Sequence, residues 1–287
     1  MGDENEIVCV TGAGGYQASW LVKLLLLRGY KVHGTVRDLS DEKNAFLKTL
    51  ENAAENLQLF KVDLLDFDGL LKAIDGCSGV FHVACHVPSS TIHNPEGFNL
   101  GLKYCILGRD DSTCCGGYVQ CAKGMFRRQS EEGGDGVIYF AKVKRVFSWI
   151  NWYSYAKTAA EFQAFEYAKA HGLDLVSVCP SLIIGPLLQH KMNTSTLLLL
   201  NFTRDGVEAV ENNDWMVVDV RDVAEALLLV YKKPKAQGRI LEQGVICKFS
   251  SEKLQKLGWR YRALETSIVD SIEDFYEKGL LDKMRHI

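Results

Sequence analysis

The chain lacks several features that would fix a function class at once. Charge of one sign is not in excess: 33 Lys and Arg stand against 36 Asp and Glu, a net charge of −3, and no long basic block occurs. A surface that follows a phosphate backbone needs clustered cations, so no nucleic-acid partner is expected. No apolar run reaches the ~18 residues of a membrane-spanning helix, and residues 197–200 form only a short one, so no membrane partner is expected either. The opening MGDENEIVCV has no basic segment before an apolar one, which reads against a secretory signal. Gly2 is not followed by Ser or Thr where the myristoylation pattern requires it. Nine cysteines are scattered without a single CxxC, and no group has zinc-ligand spacing. They read as reduced thiols of a cytoplasmic protein, several of them small core residues, and no metal is expected. Internal repeats and long low-complexity segments are absent as well.

What is present fits an α/β protein. The 287 residues, 47% of them hydrophobic, suffice for one large or two modest domains. Residues 6–11, EIVCVT, are apolar and β-branched and predict a buried parallel strand. Gly12-Ala13-Gly14-Gly15-Tyr16-Gln17-Ala18 follows, then an amphipathic run that ends at Gly29, a helix-ending glycine. KVHGTVRD predicts a second strand. Strand, glycine turn, helix and strand make a βαβ unit, with Gly12, Gly15 and Ala18 in a GxxGxxA frame. The first glycine permits a tight turn, the second lets the backbone approach a pyrophosphate, and the small third residue lets helix and strand pack closely. The helix N terminus then offers free N–H groups to the phosphates.

The end of the second strand should meet the adenosine ribose. An NAD site usually places a carboxylate there; here Arg37 holds the place and Lys43 follows, two cations that suit a 2′-phosphate and favour NADP, with Asp38 next door. Further on, 41–52 predicts a helix, LQLFKVDL a third strand ending at Asp63-Leu64, 65–74 a helix, and GVFHVA a fourth strand. Asp63 is placed to accept from an adenine amino group. The small residues Val83, Ala84 and Cys85 let a cofactor pass close to the backbone. His82, on the strand, reads as packed rather than catalytic.

From about 98 to 140 no period of two or 3.6 is sustained, and an irregular stretch is expected. Residues 144–147 restart a strand, followed by Ser148. LDLVSVCP predicts a sixth strand, and Pro180-Ser181-Leu182-Ile183 leads out over the nicotinamide position. Helices are expected at 194–202, 250–258 and 265–278. Residues 215–234 predict a strand and a helix with acidic residues early and lysines late, matching its dipole.

Within NWYSYAK, Tyr153 and Lys157 lie four residues apart, which on a helix puts them on one face, one above the other. A phenol ionises near pH ~10, and a neighbouring ammonium favours the ionised form. Such a pair suits proton donation beside a hydride carrier. A packing tyrosine and a solvated lysine are the plainer reading of the same spacing; the dinucleotide-type turn upstream favours the catalytic one.

The stretches VCVTGAGGYQASWLVKLLLLRGYKVHGTVRD, NWYSYAKTAAEFQAFEYAKAHGLDLVSVCPSLIIGP, VVDVRDVAEALLLVY and SSEKLQKLGWRYR together resemble the extended short-chain dehydrogenase/reductases, and within them the plant cinnamoyl-CoA reductase and dihydroflavonol reductase group. The resemblance covers about 6–97, 142–204 and 214–287. It implies a Rossmann-type doubly wound parallel sheet, with 1–180 as the NADP-binding domain, irregular over 98–140, and 181–287 as a smaller, mixed, shortened substrate-side domain, of which the strand and helix at 214–232 pack back onto the first domain. It implies that Tyr153 is the general acid, that Lys157 lowers its pKa and holds the nicotinamide ribose, and that Gly12 to Ala18, Arg37, Lys43, Asp63, Leu64, Val83, Ala84, Cys85, Pro180, Ser181, Leu182, Ile183 and Ser195 contact the cofactor. The reaction implied is hydride transfer from NADPH to the carbonyl of a small aromatic substrate, by a monomer or homodimer. Three departures stand against this pattern. The family serine precedes the tyrosine by a longer stretch than the four residues between Ser148 and Tyr153; Ser148 is the candidate replacement. The helix expected within 98–140 is unrecognisable, and GRILEQGVICKFSSEKL is short. A cofactor-binding pseudoenzyme with a decayed substrate site therefore stands beside the reductase, and a sugar-nucleotide epimerase or dehydratase using NAD stands third, opposed by Arg37 and Lys43.

Overall fold

Short β-branched runs become strands here because each has apolar neighbours on both faces. The computed structural model describes residues 6–84, 119–123, 152–205, 216–233, 236, 238–239, 242–243 and 249–282. The central strands are β1 (Ile7–Thr11), β2 (Lys31–Val36), β3 (Leu57–Lys61), β4 (Gly79–His82), β5 (Val119–Lys123) and β6 (Asp174–Val178). With β7 (Leu182–Ile184) and β8 (Val217–Asp219) set apart, β9 (Gly238–Arg239) closes a seven-stranded sheet ordered β3-β2-β1-β4-β5-β6-β9. Neighbouring pairs are parallel except on either side of β5, which runs opposite to both β4 and β6.

Alternation along the strands divides the core. Val8, Val10, Val32, Phe81, Val176 and Val178 pack on one face, against the helices Tyr16–Leu27 and Val220–Lys232. Cys9, Val62 and Val80 pack on the other, with Ala73 of the helix Phe67–Ile74 and Cys77. The helix Trp152–His171 lies on that second face too, since its Glu161 meets Ser177 of β6. Helices on both faces of a sheet whose order reverses about β1 and β4 make the doubly wound fold that the sequence implied.

The ends of these elements follow local chemistry. The Tyr16–Leu27 helix stops because Gly29 adopts φ +81°: its N–H donates to the Leu26 carbonyl and that of Tyr30 to Leu25, both at 3.1 Å, a Schellman closure. The helix expected at 65–74 begins at Phe67 because Asp66 caps it, accepting from Gly69 N–H at 3.0 Å. The helix expected at 41–52 is instead a 3₁₀ stretch, Glu42–Thr49, and Asn52 at φ +63° then separates it from a short helix, Ala53–Asn56.

Two differences concern the sheet. β5 lies inside the stretch read as irregular; five residues are too few to display a period. It fills the place that 144–147 was expected to take, and 144–147 lies outside the described residues. The strand expected near 215 is β8, and it pairs in parallel with β7 rather than joining the main sheet. The helix that follows it packs on the Tyr16–Leu27 helix. Beyond β6, helices Thr194–Asp205, Glu252–Lys256 and Leu264–Glu277 and the antiparallel pair β10 (Glu242–Gln243) and β11 (Phe249–Ser250) complete the described chain. Among the described residues no helix is long and apolar enough to cross a membrane.

A third apolar cluster joins the two ends of this arrangement. Tyr16 packs with Leu187, Leu200, Val220 and Phe275. The Tyr16 hydroxyl donates to the Gly185 carbonyl at 2.8 Å, and Trp20 Nε1 donates to the Pro186 carbonyl at 2.9 Å. Asp274 accepts from Leu187 N–H at 3.0 Å, and Lys278 donates to the Leu187 carbonyl at 2.9 Å.

Candidate active site

The glycine turn connects β1 to the Tyr16–Leu27 helix at the carboxyl ends of the parallel strands. Gly12 sits at φ +67°, which an L side chain adopts only with strain. Its N–H donates to Thr35 Oγ1 at 3.0 Å, and Ala13 N–H donates to the Thr35 carbonyl at 2.9 Å. Gly15 N–H closes the turn on the Gly12 carbonyl at 2.8 Å. A Cβ on Gly14 would collide with the Asn44 side-chain oxygen, and Asn44 is itself held by donating to the Asp38 carbonyl at 3.0 Å. Ala13 and Ala18 are fully buried, the close helix–sheet packing expected of small residues.

Thr11 organises the neighbouring end of β4. Its hydroxyl oxygen accepts from the N–H groups of Val83 and Ala84, both at 3.1 Å, and lies 3.0 Å from His82 Nδ1. With both lone pairs of the hydroxyl oxygen engaged, its hydrogen is left for His82 Nδ1. His82 is 5% exposed. The packed reading of His82 agrees with this, and the strand end it supports is the one on which Val83 and Ala84 were expected to meet a cofactor.

A dinucleotide fits this turn. No side chain caps the helix at Gly15, no acidic residue sits in its first turn, and Gly15 is exposed. The first N–H groups of a helix have no partner within it, and the helix dipole favours an anion there. Gln17 Nε2 is buried without a hydrogen-bond acceptor, an orphan donor within the same turn. At the end of β2, Arg37 is exposed and makes no ion pair among the described residues. Asp38 is occupied: its Oδ1 accepts from Ser40 N–H and Oγ at 3.0 and 2.8 Å, which holds its carboxyl below the ordinary value.

Other expected contacts are differently engaged. Lys43 is ion-paired with Asp41, whose carboxyl is lowered chiefly by that side-chain bond, so Lys43 is not a free cation beside Arg37. The Tyr16 phenol is turned to Gly185, and burial raises its pKa, leaving its backbone N–H as the group available to a phosphate. Ser195 donates to the Ile183 carbonyl at 2.6 Å and accepts from Asn193 Nδ2 at 2.6 Å, so its hydroxyl holds β7 in place. Asp63 accepts from Leu65 N–H at 3.0 Å through Oδ1; it is exposed, and Leu64 beside it is half-buried. Pro180, Ser181, Leu182 and Ile183 are half-buried on the path from β6 into β7.

Tyr153 and Lys157 fall in the first turns of the Trp152–His171 helix, one turn apart, as their spacing required. Cys85 and Ser148 lie outside the described residues, and so does the relation of Ser148 to Tyr153. Thr11, Thr35, Asn44 and Glu161 were not singled out from the sequence. Thr11 had one signal, its place immediately before the glycine frame, and Glu161 another, its place one turn after Lys157. Among the described residues no group of His, Cys, Asp or Glu is arranged to hold a metal. Cys9, Cys77 and Cys179 are buried in the core and form no disulfide; burial pushes Cys77 up to about 12, an unreactive thiol.

Comparison with known proteins matches these features. The family model for GDP-mannose 4,6 dehydratase matches residues 9–99, and that for the NAD dependent epimerase/dehydratase family matches residues 142–244. Cinnamoyl-CoA reductase 2 of Medicago truncatula is 36% identical over 313 residues, covering 96% of this chain and 93% of the relative. The bifunctional dihydroflavonol 4-reductase/flavanone 4-reductase of Pyrus communis is 31% identical, covering 98% of this chain and 94% of the relative. The crystal structure of vestitone reductase from alfalfa (Medicago sativa) shares the fold, with a TM-score of 0.66 and 24% identity over 96% of this chain and 99% of that one. The fold and the glycine turn, with these reductase relatives, define a nicotinamide-dependent oxidoreductase, and the chain belongs to the extended short-chain dehydrogenase/reductases. Within them its place is the cinnamoyl-CoA reductase and dihydroflavonol reductase-like group. The 313 aligned positions exceed the 287 residues present, so some internal positions of the Medicago relative have no counterpart here.

Proposed function

We propose that the protein is an NADPH-dependent reductase acting on the carbonyl of a phenylpropanoid-type substrate: a cinnamoyl-CoA-like thioester, an aromatic aldehyde or a dihydroflavonol. Residues 1–180 would hold the cofactor and 181–287 the substrate side, in a cytoplasmic monomer or homodimer. The observation that carries the reading is an uncapped, glycine-lined helix end together with a second helix whose first turns hold positions 153 and 157, Tyr and Lys, one turn apart. NADPH, when bound, supplies the hydride. Gly12 to Ala18 would seat its diphosphate through backbone N–H groups and Gln17, and Arg37 its 2′-phosphate. Val83 and Ala84 would line its path, with Cys85 beyond, and Pro180 to Ile183 the nicotinamide end. Tyr153 would give its phenolic proton to the carbonyl oxygen as that oxygen gains negative charge, and the Lys157 ammonium would make the phenol acidic enough to do so. Ser148 would hold the carbonyl oxygen by a hydrogen bond.

The test is absorbance at 340 nm with NADPH and a panel of cinnamoyl-CoA esters, cinnamaldehydes and dihydroflavonols. Oxidation of NADPH by one of these, abolished in Tyr153→Phe with NADPH binding retained, is the expected result. A second reading, a cofactor-binding chain without its own chemistry, is favoured by the internal positions missing relative to the Medicago enzyme. NADPH binding with no turnover of any panel member would establish that one instead.

A further inference from the structure

Residues 185–187 leave β7 without joining a regular element, and side chains from elsewhere claim their backbone groups one by one. The Gly185 carbonyl accepts from Tyr16 and the Pro186 carbonyl from Trp20, both on the helix that begins at the glycine turn. Leu187 is held from the other side. Its N–H donates to Asp274 Oδ2 at 3.0 Å, and its carbonyl accepts from Lys278 Nζ at 2.9 Å. Asp274 and Lys278 are themselves an ion pair, one turn apart at the end of the helix Leu264–Glu277. The pair therefore closes a ring on one residue, the carboxylate on its N–H and the ammonium on its carbonyl. Leu187 is 3% exposed and Asp274 8%, so little water competes for these groups. Charge-assisted hydrogen bonds are stronger than neutral ones, and shielding from water strengthens them further.

The sheet order decides which half of a dinucleotide this segment would meet. Arg37 follows β2, on one side of β1, while β4, β5 and β6 lie on the other. β5 runs opposite to β4 and to β6, so β6 runs the same way as β4 and β1. Its carboxyl end, and the chain that leaves it, therefore lie at the same edge of the sheet as the glycine turn. A dinucleotide seated by its diphosphate at that turn, with its 2′-phosphate at Arg37, sends its nicotinamide half across β4 towards 180–187. We propose that Asp274 and Lys278 are positioning residues for that half, acting through the backbone of Leu187. The proposal rests on the NADPH reading, but its physical content does not need turnover. Without the pair, the N–H and carbonyl of Leu187 lose their partners in a buried place, and the segment must shift to find others. The bonds from Tyr16 and Trp20 remain, so the segment changes its position and not its attachment.

The experiment compares NADPH with 2′-phospho-ADP-ribose, the same molecule without its nicotinamide, by calorimetric titration of the full chain. The wild type should bind NADPH more tightly than the fragment. Lys278→Met should raise the Kd for NADPH roughly tenfold, with the fragment within about twofold of its wild-type value. Asp274→Asn keeps an acceptor for the Leu187 N–H and loses the charge on Lys278, so it should raise the NADPH value by roughly fivefold, again with the fragment within about twofold. Where the wild type turns substrate over, kcat should fall in both variants, with KM for the organic substrate within about twofold. A purely structural role would weaken both ligands alike. That result, or an NADPH value unmoved in Lys278→Met, would overturn the inference, and so would a wild type that binds the fragment as tightly as NADPH. Should Lys278→Met fail to fold, Asp274→Asn decides by the same comparison. Split binding in a chain that turns over no panel member would overturn the reductase reading and leave the role of Asp274 and Lys278 standing; binding of neither ligand by the wild type would overturn both.

Discussion

A methyl group built on Gly12 would stand 2.9 Å from the Cβ of Ala84 and 3.0 Å from its Cα, so the first glycine of the turn and the end of β4 fit together only while Gly12 has no side chain. The backbone there is at φ +67° as well, so the position resists substitution twice over.

Gly12→Ala should therefore cost about 3 kcal/mol, of which roughly 1–2 is the left-handed backbone and the rest the displaced strand end. Gly29 is the control. It has a similar φ of +81° but nothing within 4 Å of a Cβ, so Gly29→Ala should cost only about 1 kcal/mol. Urea unfolding of the two variants checks the difference. Equal losses would mean that the contact with Ala84 carries no weight.

Arg37 and Lys43 separate in the same way. Lys43 is engaged by Asp41 at an exposed position, whereas Arg37 makes no ion pair among the described residues. Arg37→Asp should raise the Kd for NADPH roughly a hundredfold, about 2.7 kcal/mol, and that for NADH by no more than about threefold. Lys43→Ala should raise the NADPH value by less than about threefold. Fluorescence titration with both cofactors is the measurement; equal losses for the two cofactors in Arg37→Asp would remove the 2′-phosphate assignment.

Acid stability should depend on Asp219. Burial disfavours its charge, but the Arg221 guanidinium donates to both carboxylate oxygens, at 2.8 and 2.6 Å, and its backbone N–H donates at 2.8 Å. Arg221 also reaches Asp270 at 2.6 Å. Together these hold the Asp219 carboxyl below its ordinary 3.8. A carboxyl whose folded pKa is depressed stabilises the fold fully above its unfolded pKa, and that contribution is lost as pH falls through the folded value. Asp219→Asn should thus lower Tm at pH 6, where breaking the buried pair costs about 3 kcal/mol, and the gap from wild type should narrow as pH falls below 3.8. Asp222 works in the other direction, because burial raises its carboxyl despite Arg262. The paired comparison, and not the overall acid curve, is therefore the test. A gap of constant width from pH 6 to pH 2.5 would refute it.

Much of the nucleotide half was legible in the sequence because its signals are local and dense. A β-branched run, a glycine frame and an amphipathic helix with its ending glycine occupy residues 6–29 without interruption, and each element limits the next. The one-turn register of Tyr153 and Lys157 was legible for the same reason, since spacing alone fixes it once the helix forms. What sequence did not reveal depends on partners far along the chain. Thr11 matters because it meets residues 71 to 73 positions away, and Glu161 because a serine 16 positions on lies beneath it. Lys43 and Ser195 were expected at the cofactor from their place in the chain, yet near neighbours, Asp41 and the Ile183 carbonyl, take their polar groups first. β5 was missed because five residues give too little alternation to count, and its direction is a property of the sheet alone.

The bonds from Tyr16 to Gly185 and from Trp20 to Pro186 bind the helix that begins at the glycine turn to the segment leading away from β7. Any coupling that this clasp carries between its two ends is equal in both directions. Under the proposed function, a dinucleotide at the glycine turn that tightened binding beyond β7 would have its own binding tightened by the same factor, even where no atom of one ligand touches the other.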